Sequence, residues 1–387
     1  MIPVVGTTPS AADGDPGSSV QATLQPRSIA SLDGLRAVSI ALVIYVHCAR
    51  SASPSGAGPL FPELGTLGVR VFFVISGFLI TSLLLGELRR TGKLSLRKFY
   101  YRRLLRIFPP YYFYLAAIFA LMSLEVVKLM DGDLGHALTY TVNYHRPRSW
   151  YVGHAWSLSV EEQFYLSWPA ILAVAGPRRA GRLLVGYLVV APLWRVLLPA
   201  LIPGTAPAVG ETFFTTGDSL AAGCLLALWR DDIGRWPAYS KWLLSPLSAI
   251  LPLVLLVTDE LHHWTKIYWL VGVTAENILI ALIVDRAVRH PEFVTNRVLN
   301  WAPVRLVGVW SYSLYLWQQL FLDPEPHALI ATFPANLLLT IGVSILSYYV
   351  IERPSLALRA AWEHRLFPRA DFLVSPGNGT LGVKTGR

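Results

Sequence analysis

Ten apolar stretches, each roughly 17–24 residues long, constrain this chain more than any other feature, because that is the length a bilayer core demands of a helix. They lie near residues 29–49, 66–86, 107–124, 154–176, 182–202, 213–229, 242–258, 264–285, 305–322 and 328–350. The fifth is the weakest, since Pro192 and Arg195 interrupt it. Composition agrees with membrane residence. The 387 residues are 53% hydrophobic and only 15% charged, with a mean hydropathy of +0.46, whereas soluble domains carry about 25% charge. Thirteen Trp and seventeen Tyr suit a protein with two membrane interfaces, where amphipathic rings collect. The expected fold is all-α, a polytopic membrane protein of about ten transmembrane helices.

The loops give that bundle a direction. Placing the N-terminus inside puts 25 Lys and Arg in inside segments and only Arg50, Lys128, Arg146 and Arg148 outside. Cytoplasmic loops carry such an excess, so both termini are expected in the cytoplasm. The net charge of +9 then marks loops and not a nucleic-acid partner. Residues 1–28 are rich in Gly, Ser, Ala, Thr and Pro and lack the basic start and apolar core of a signal peptide. They read as a disordered cytoplasmic tail, residues 29–355 as the membrane domain, and 356–387 as a cytoplasmic C-terminal tail. Cys48 and Cys224 both fall in apolar segments, so a structural disulfide is not expected.

Against this apolar background the ionisable residues stand out, because such groups are costly in hydrocarbon and usually have a job there. Arg36 and His47 share the first segment with ten residues between them. His47 lies roughly 27 Å from the inner start of its helix and Arg36 roughly 10 Å. The fourth segment opens HAWSLSVEEQFYLSWPAIL. Glu161 and Glu162 lie roughly 10–12 Å below its outer end, a depth close to that of His47. Adjacent helical residues point about 100° apart, so one of the two carboxylates is expected to face a given site. Glu161 shares its face with Tyr165 and Trp168. A carboxylate hydrogen-bonded to the histidine would orient the ring and stabilise its imidazolium.

The stretch KLSLRKFYYRRLLRIFPPYYFYL sets Arg103 and Arg106 on one helical face, and arginine presents a planar fork suited to phosphate. A juxtamembrane anchor for anionic lipid explains the same charge. In the second segment Arg70 precedes Ser76 and Gly77, a pair that usually marks close helix packing. Asp218, in TTGDSLAAG, is an intramembrane acid suited to positioning or to joining helices. Tyr312 and Tyr315 read as packing groups. The chain has no GxSxG elbow, Walker loop, HExxH or cysteine-pair metal site, and His262–His263 is a weak outer-loop pair. Its chemistry reads as acid–base chemistry without a metal.

Taken in order, LDGLRAVSI with the following His47, GVRVFFVISGFLIT, Arg103-x-x-Arg106, WSLSVEEQFYL, GDSLAAGCLLAL, WSYSLYLW and SYYVIERP resemble the acyltransferase-3 family of membrane acyltransferases, which includes bacterial O-antigen acetylases. The seven pieces span about residues 29–355. The resemblance implies an acyl-CoA donor, acetyl-CoA by default, and an acceptor hydroxyl, usually on a sugar. The family histidine falls on His47 and its first-helix arginine on Arg36. The cytoplasmic arginine pair linked to the CoA donor falls on Arg103 and Arg106, and the glutamate on Glu161 in preference to Glu162. Where WSYSLYLW is often followed by His, this chain has Gln318. The common appended extracytoplasmic domain is not expected.

The chain therefore reads as a membrane O-acyltransferase, in the bacterial inner membrane, acting on a cell-surface polysaccharide or lipid-linked sugar. His47 is the expected general base with Glu161 orienting it, Arg36, Arg103 and Arg106 hold the donor, and Ser76, Glu162, Tyr165 and Asp218 support. An acyl-histidine intermediate is the alternative chemistry. The rivals are a transporter or flippase of lipid-linked sugars, a structural partner in glycan assembly, and acylation of a glycosylated small molecule such as a macrolide.

Overall fold

The computed structural model describes residues 29–52, 59–202, 204–205, 208–260, 267–324 and 332–367, and every regular element among them is helical. The expected tail 1–28 and the pair His262–His263 lie outside the described residues. We label the helices that position the site α1 (Ala30–Ser51), α2 (Leu64–Thr91), α3 (Leu96–Ser123), α4 (Ala155–Leu201), α5 (Asp218–Gly234), α6 (Leu251–Glu260), α7 (Val273–Arg289), α8 (Ala302–Phe321), α9 (Ala335–Ser347) and α10 (Arg353–Leu366).

Among the described residues six helices are long and apolar enough to cross a membrane, or seven if the pair Pro237–Leu244 and Pro246–Asp259, bent by 62°, is one span. Two reasons separate this number from ten. The fourth and fifth expected segments form one run, Trp150–Leu201, which turns at Gly176 (φ 72°, ψ 165°), a left-handed backbone that glycine adopts without penalty. Other expected segments are short or polar: α5 has 17 residues, and α8 buries Ser311, Ser313, Gln318 and Gln319. Residues 353–366, most of them assigned from sequence to a free tail, form α10, which packs on α3. Arg102 and Lys98 of α3 both pair with Glu363 of α10.

Apolar side chains cover the outside: Leu166, Val174, Leu253 and Leu338 are each at least 61% exposed. Polar groups turn inward, as the cost of placing them in hydrocarbon requires. In the core α1 lies between α2 and α8, and α2 lies against α5. Gly77 and Gly223 make the α2–α5 crossing possible. A Cβ on Gly77 would collide with the Leu220 carbonyl, and one on Gly223 with the Val74 carbonyl. Small residues allow such backbone approach between membrane helices.

Buried ion pairs join the remaining helices. Arg70 of α2 reaches Asp259 of α6 and Glu276 of α7, each at 2.5 Å, and all three are nearly inaccessible. Arg195 of α4 reaches Asp218 of α5 at 2.5 Å, and Thr274 donates to the same Asp218 at 2.6 Å. Asp218 thus joins three helices, and Arg195, which interrupts the fifth apolar stretch, is its counter-ion.

Candidate active site

His47 lies four residues before the end of α1, about 6 Å along the axis, beside a cavity of about 690 Å³. Its Nδ1 is 2.9 Å from Gln318 Oε1 on α8. A carbonyl oxygen only accepts, so Nδ1 carries the proton and Nε2 keeps its lone pair. The ring meets Trp150 in a T-shaped contact, with centroids 5.2 Å apart and planes at 76°. Trp150 is fixed in turn by its indole N–H, which donates to the Gln319 carbonyl at 2.8 Å. His154 completes this end of the bundle. Its backbone N–H donates to Gln319 Oε1 at 2.9 Å, and its Nδ1 lies 2.7 Å from the same oxygen.

The connection from α3 to α4 delivers Trp150 and His154, and Asp133 organises it. This inaccessible carboxylate accepts from the backbone N–H of Met130 (2.9 Å) and of Ser149 (3.0 Å) and lies 3.1 Å from His145 Nε2. Sequence reasoning missed Trp150, His154, Gln319 and Asp133. The available signal was WYVGHAW, an aromatic and histidine run that leads into the fourth apolar stretch.

Glu161 is not beside His47. Its Oε1 accepts from Ser76 Oγ at 2.5 Å and from Tyr165 OH at 3.2 Å. The expectation that Glu161 orients the histidine is corrected, and the cause is depth. Ser76 lies twelve residues into α2, about 18 Å from the end adjoining α1. Glu161 therefore sits well below His47, and the orienting group at His47 is the uncharged Gln318.

A second polar region occupies that deeper level. Arg103 of α3 stands 4.1 Å over the ring of Tyr165. Arg106 is close enough for its charge to act on both Arg36 and Arg103. Glu161 and Glu162 both act on Arg103, but they diverge as their helical spacing requires. Glu161 meets Ser76 of α2, while the charge of Glu162 acts on Tyr111, Tyr112, Tyr140 and Tyr312. Among the described residues none of Arg36, Arg103 and Arg106 forms an ion pair. The three guanidiniums thus gather with no close ion pair among the described residues, Glu161 and Glu162 lying in their field, and each presents a fork of N–H donors. Sequence reasoning brought these three together and missed two neighbours. Glu352, in SYYVIERP, is buried, accepts from Ser313 at 2.9 Å and acts on Arg106 and Arg36. Arg359 of α10 reaches the same field.

Tyr315 separates the two levels. It lines the cavity, its hydroxyl lies 2.7 Å from Ser157 Oγ and 3.1 Å from the His154 carbonyl, and it senses Glu161 beneath. Tyr312 donates to the Ile107 carbonyl at 3.0 Å. Among the described residues no group of three or more His, Cys, Asp or Glu has the arrangement of a metal site.

The described residues thus form a helical bundle with a histidine held at one level and arginines gathered at another. The acyltransferase-3 family model, an acyltransferase domain, matches residues 29–352, and the chain belongs to that family. It is 28% identical over 363 residues to the peptidoglycan O-acetyltransferase OatA of Listeria monocytogenes, covering 84% of this chain and 55% of the relative. It is 29% identical over 366 residues to the O-acetyltransferase OatA of Staphylococcus aureus, covering 85% and 57%. It is 30% identical over 376 residues to the putative peptidoglycan O-acetyltransferase YrhL of Bacillus subtilis, covering 86% and 55%. The chain thus spans little more than half the length of these relatives. No solved structure matches it.

Proposed function

We propose that this protein is a membrane O-acyltransferase that moves an acyl group, acetyl by the precedent of its relatives' names, from acyl-CoA to a hydroxyl of a carbohydrate. The observation that carries the reading is the pairing on one helix of a held histidine and an arginine with no close ion pair among the described residues. His47 and Arg36 are eleven residues apart on α1, about 16 Å. One faces a cavity of ligand size and the other a cluster of guanidiniums.

In this reading Arg36, Arg103 and Arg106 bind the donor's phosphates. The acceptor hydroxyl enters the cavity, and His47 Nε2 takes its proton while the oxygen attacks the thioester carbonyl. The C–O bond forms, the C–S bond breaks, and the departing thiolate takes up the proton that His47 accepted, which returns the ring to its neutral form. Gln318 holds the ring in the tautomer that leaves Nε2 basic. Glu161 serves the donor side, with Ser76 holding it and Tyr165 between it and Arg103. The bundle crosses the bacterial inner membrane about ten times with both described ends cytoplasmic, supported by the 25 to 4 distribution of Lys and Arg. Arg103 and Arg106 then face the cytoplasmic donor, and His47 the outer side.

The test is to incubate purified protein in lipid with radiolabelled acetyl-CoA and glycan acceptors and to look for ester-linked label. Label on the glycan that His47→Ala abolishes supports the reading. Movement of a lipid-linked sugar across the bilayer with no consumption of acetyl-CoA would replace it with the transporter reading.

A further inference from the structure

The cavity beside His47 carries a charge that acyl transfer to a neutral sugar does not require. Its charged lining consists of Arg50, Arg146, Arg148 and Glu211, three cations against one anion. Glu211 is fully engaged: one oxygen lies 2.5 Å from Arg146 and the other 2.6 Å from Arg148. Arg148 is also tied to the Val142 and His145 carbonyls, both at 3.3 Å. Arg50, one helical turn beyond His47 on the same face, has no ion pair among the described residues. With neutral histidines the wall is left with two uncompensated positive charges. Trp150 and Trp156 line the same space, and such rings are the side chains that pack against the C–H face of a pyranose. The volume of about 690 Å³ falls in the usual range for a ligand site, on the order of 300–1,000 Å³.

From these features we infer that the acceptor is an acidic sugar, whose carboxylate or phosphate is received by Arg50 and the Arg146–Arg148 pair while a neighbouring hydroxyl meets His47. This deepens the proposed function and rests on it for the chemical step, although charge selection by the cavity stands apart from catalysis. Arg50 is a specificity-determining residue in this scheme. Its charge complements that of the acceptor, and such complementarity discriminates among partners more than it adds affinity.

The experiment uses the full chain in lipid nanodiscs and three probes: methyl glucoside, methyl glucuronoside and glucose 1-phosphate. Binding is read by calorimetry and transfer by label from acetyl-CoA. The acidic probes are expected to bind about fivefold tighter than the neutral one, the scale of a partly exposed charge pair. The carboxylate and phosphate arms separate the two sources of charge. Arg50→Gln, an exposed position, is expected to bring the acidic-to-neutral ratio toward one, and Arg50→Lys to restore most of it. Equal binding of neutral and acidic probes by the parent protein, or a ratio unchanged in Arg50→Gln, overturns the inference. Charge-selective binding without transfer to any probe upholds the inference and counts against the transferase reading.

Discussion

His47 Nδ1 and Gln318 Oε1 meet at 2.9 Å across 271 residues of sequence. The amide oxygen can only accept, so this one contact selects the histidine tautomer and leaves Nε2 as the basic nitrogen. Gln318 is inaccessible to solvent and carries no charge, so the ring is oriented without a carboxylate behind it.

His47→Ala is expected to lower transfer by about 10²–10⁴-fold, the usual contribution of general-base help, with the thermal unfolding midpoint in detergent close to the parent's. Purified His47→Ala protein turning over at the parental rate would rule out the mechanism.

Gln318→Leu removes the acceptor of the Nδ1 proton but preserves the bulk of the side chain. The expected result is a fall in kcat of about tenfold, one neutral hydrogen bond's worth of positioning, with the acceptor KM little changed. Gln318→Glu keeps an oxygen facing Nδ1 and should recover much of the loss. A loss confined to KM would assign Gln318 to binding instead.

Glu161→Gln should weaken donor use more than Glu162→Gln, because Glu161 alone is held by Ser76 and Tyr165 beneath Arg103. The measurement is the KM for acetyl-CoA in each variant. An effect of Glu161→Gln on acceptor KM alone would place the carboxylate back beside His47.

Asp218→Ala strands Arg195 in the core of the bundle. Breaking one partner out of a buried pair costs about 3–5 kcal/mol, so a much lower unfolding midpoint or failure to assemble is expected, with no dependence on substrate. An unchanged midpoint would show that the pair between α4 and α5 is not structural.

Gly77→Val should fail in a different way, by forcing α2 away from the Leu220 carbonyl. Loss of monodisperse protein on size exclusion is expected, whereas Gly86→Ala, whose Cβ would meet nothing within 4 Å, should behave as the parent. Equal yields for the two variants would argue against tight α2–α5 packing.

Ser76 and Gly77 show how far sequence could lead. Their pattern signalled close packing, and Gly77 provides it against α5. Ser76, one residue away, turns about 100° around the helix and serves Glu161. The Arg103–Arg106 spacing predicted a shared face, and the two do share one electrostatic field with Arg36. Glu161 went the other way. Its depth was counted along its own helix from an estimated boundary, and the level of its partner on α2 could not be counted at all. Gln318 was visible as a departure from the family pattern, but its contact depends on how α8 lies against α1. Trp150, just before the fourth segment, and His154, its first residue, were hidden because their placement follows a connection whose course is set by Asp133.

The amino-acid order by itself determined the helical class, the membrane environment and which costly ionisable residues the helices would carry, because helix periodicity and the price of charge in hydrocarbon act locally along the chain. Tertiary packing alone decided the partners. It paired His47 with Gln318 in place of Glu161, divided the polar residues into two levels, and gave the cavity at His47 its excess of Arg over Glu. Those outcomes depend on rotation and depth between helices far apart in sequence, which no local rule sets.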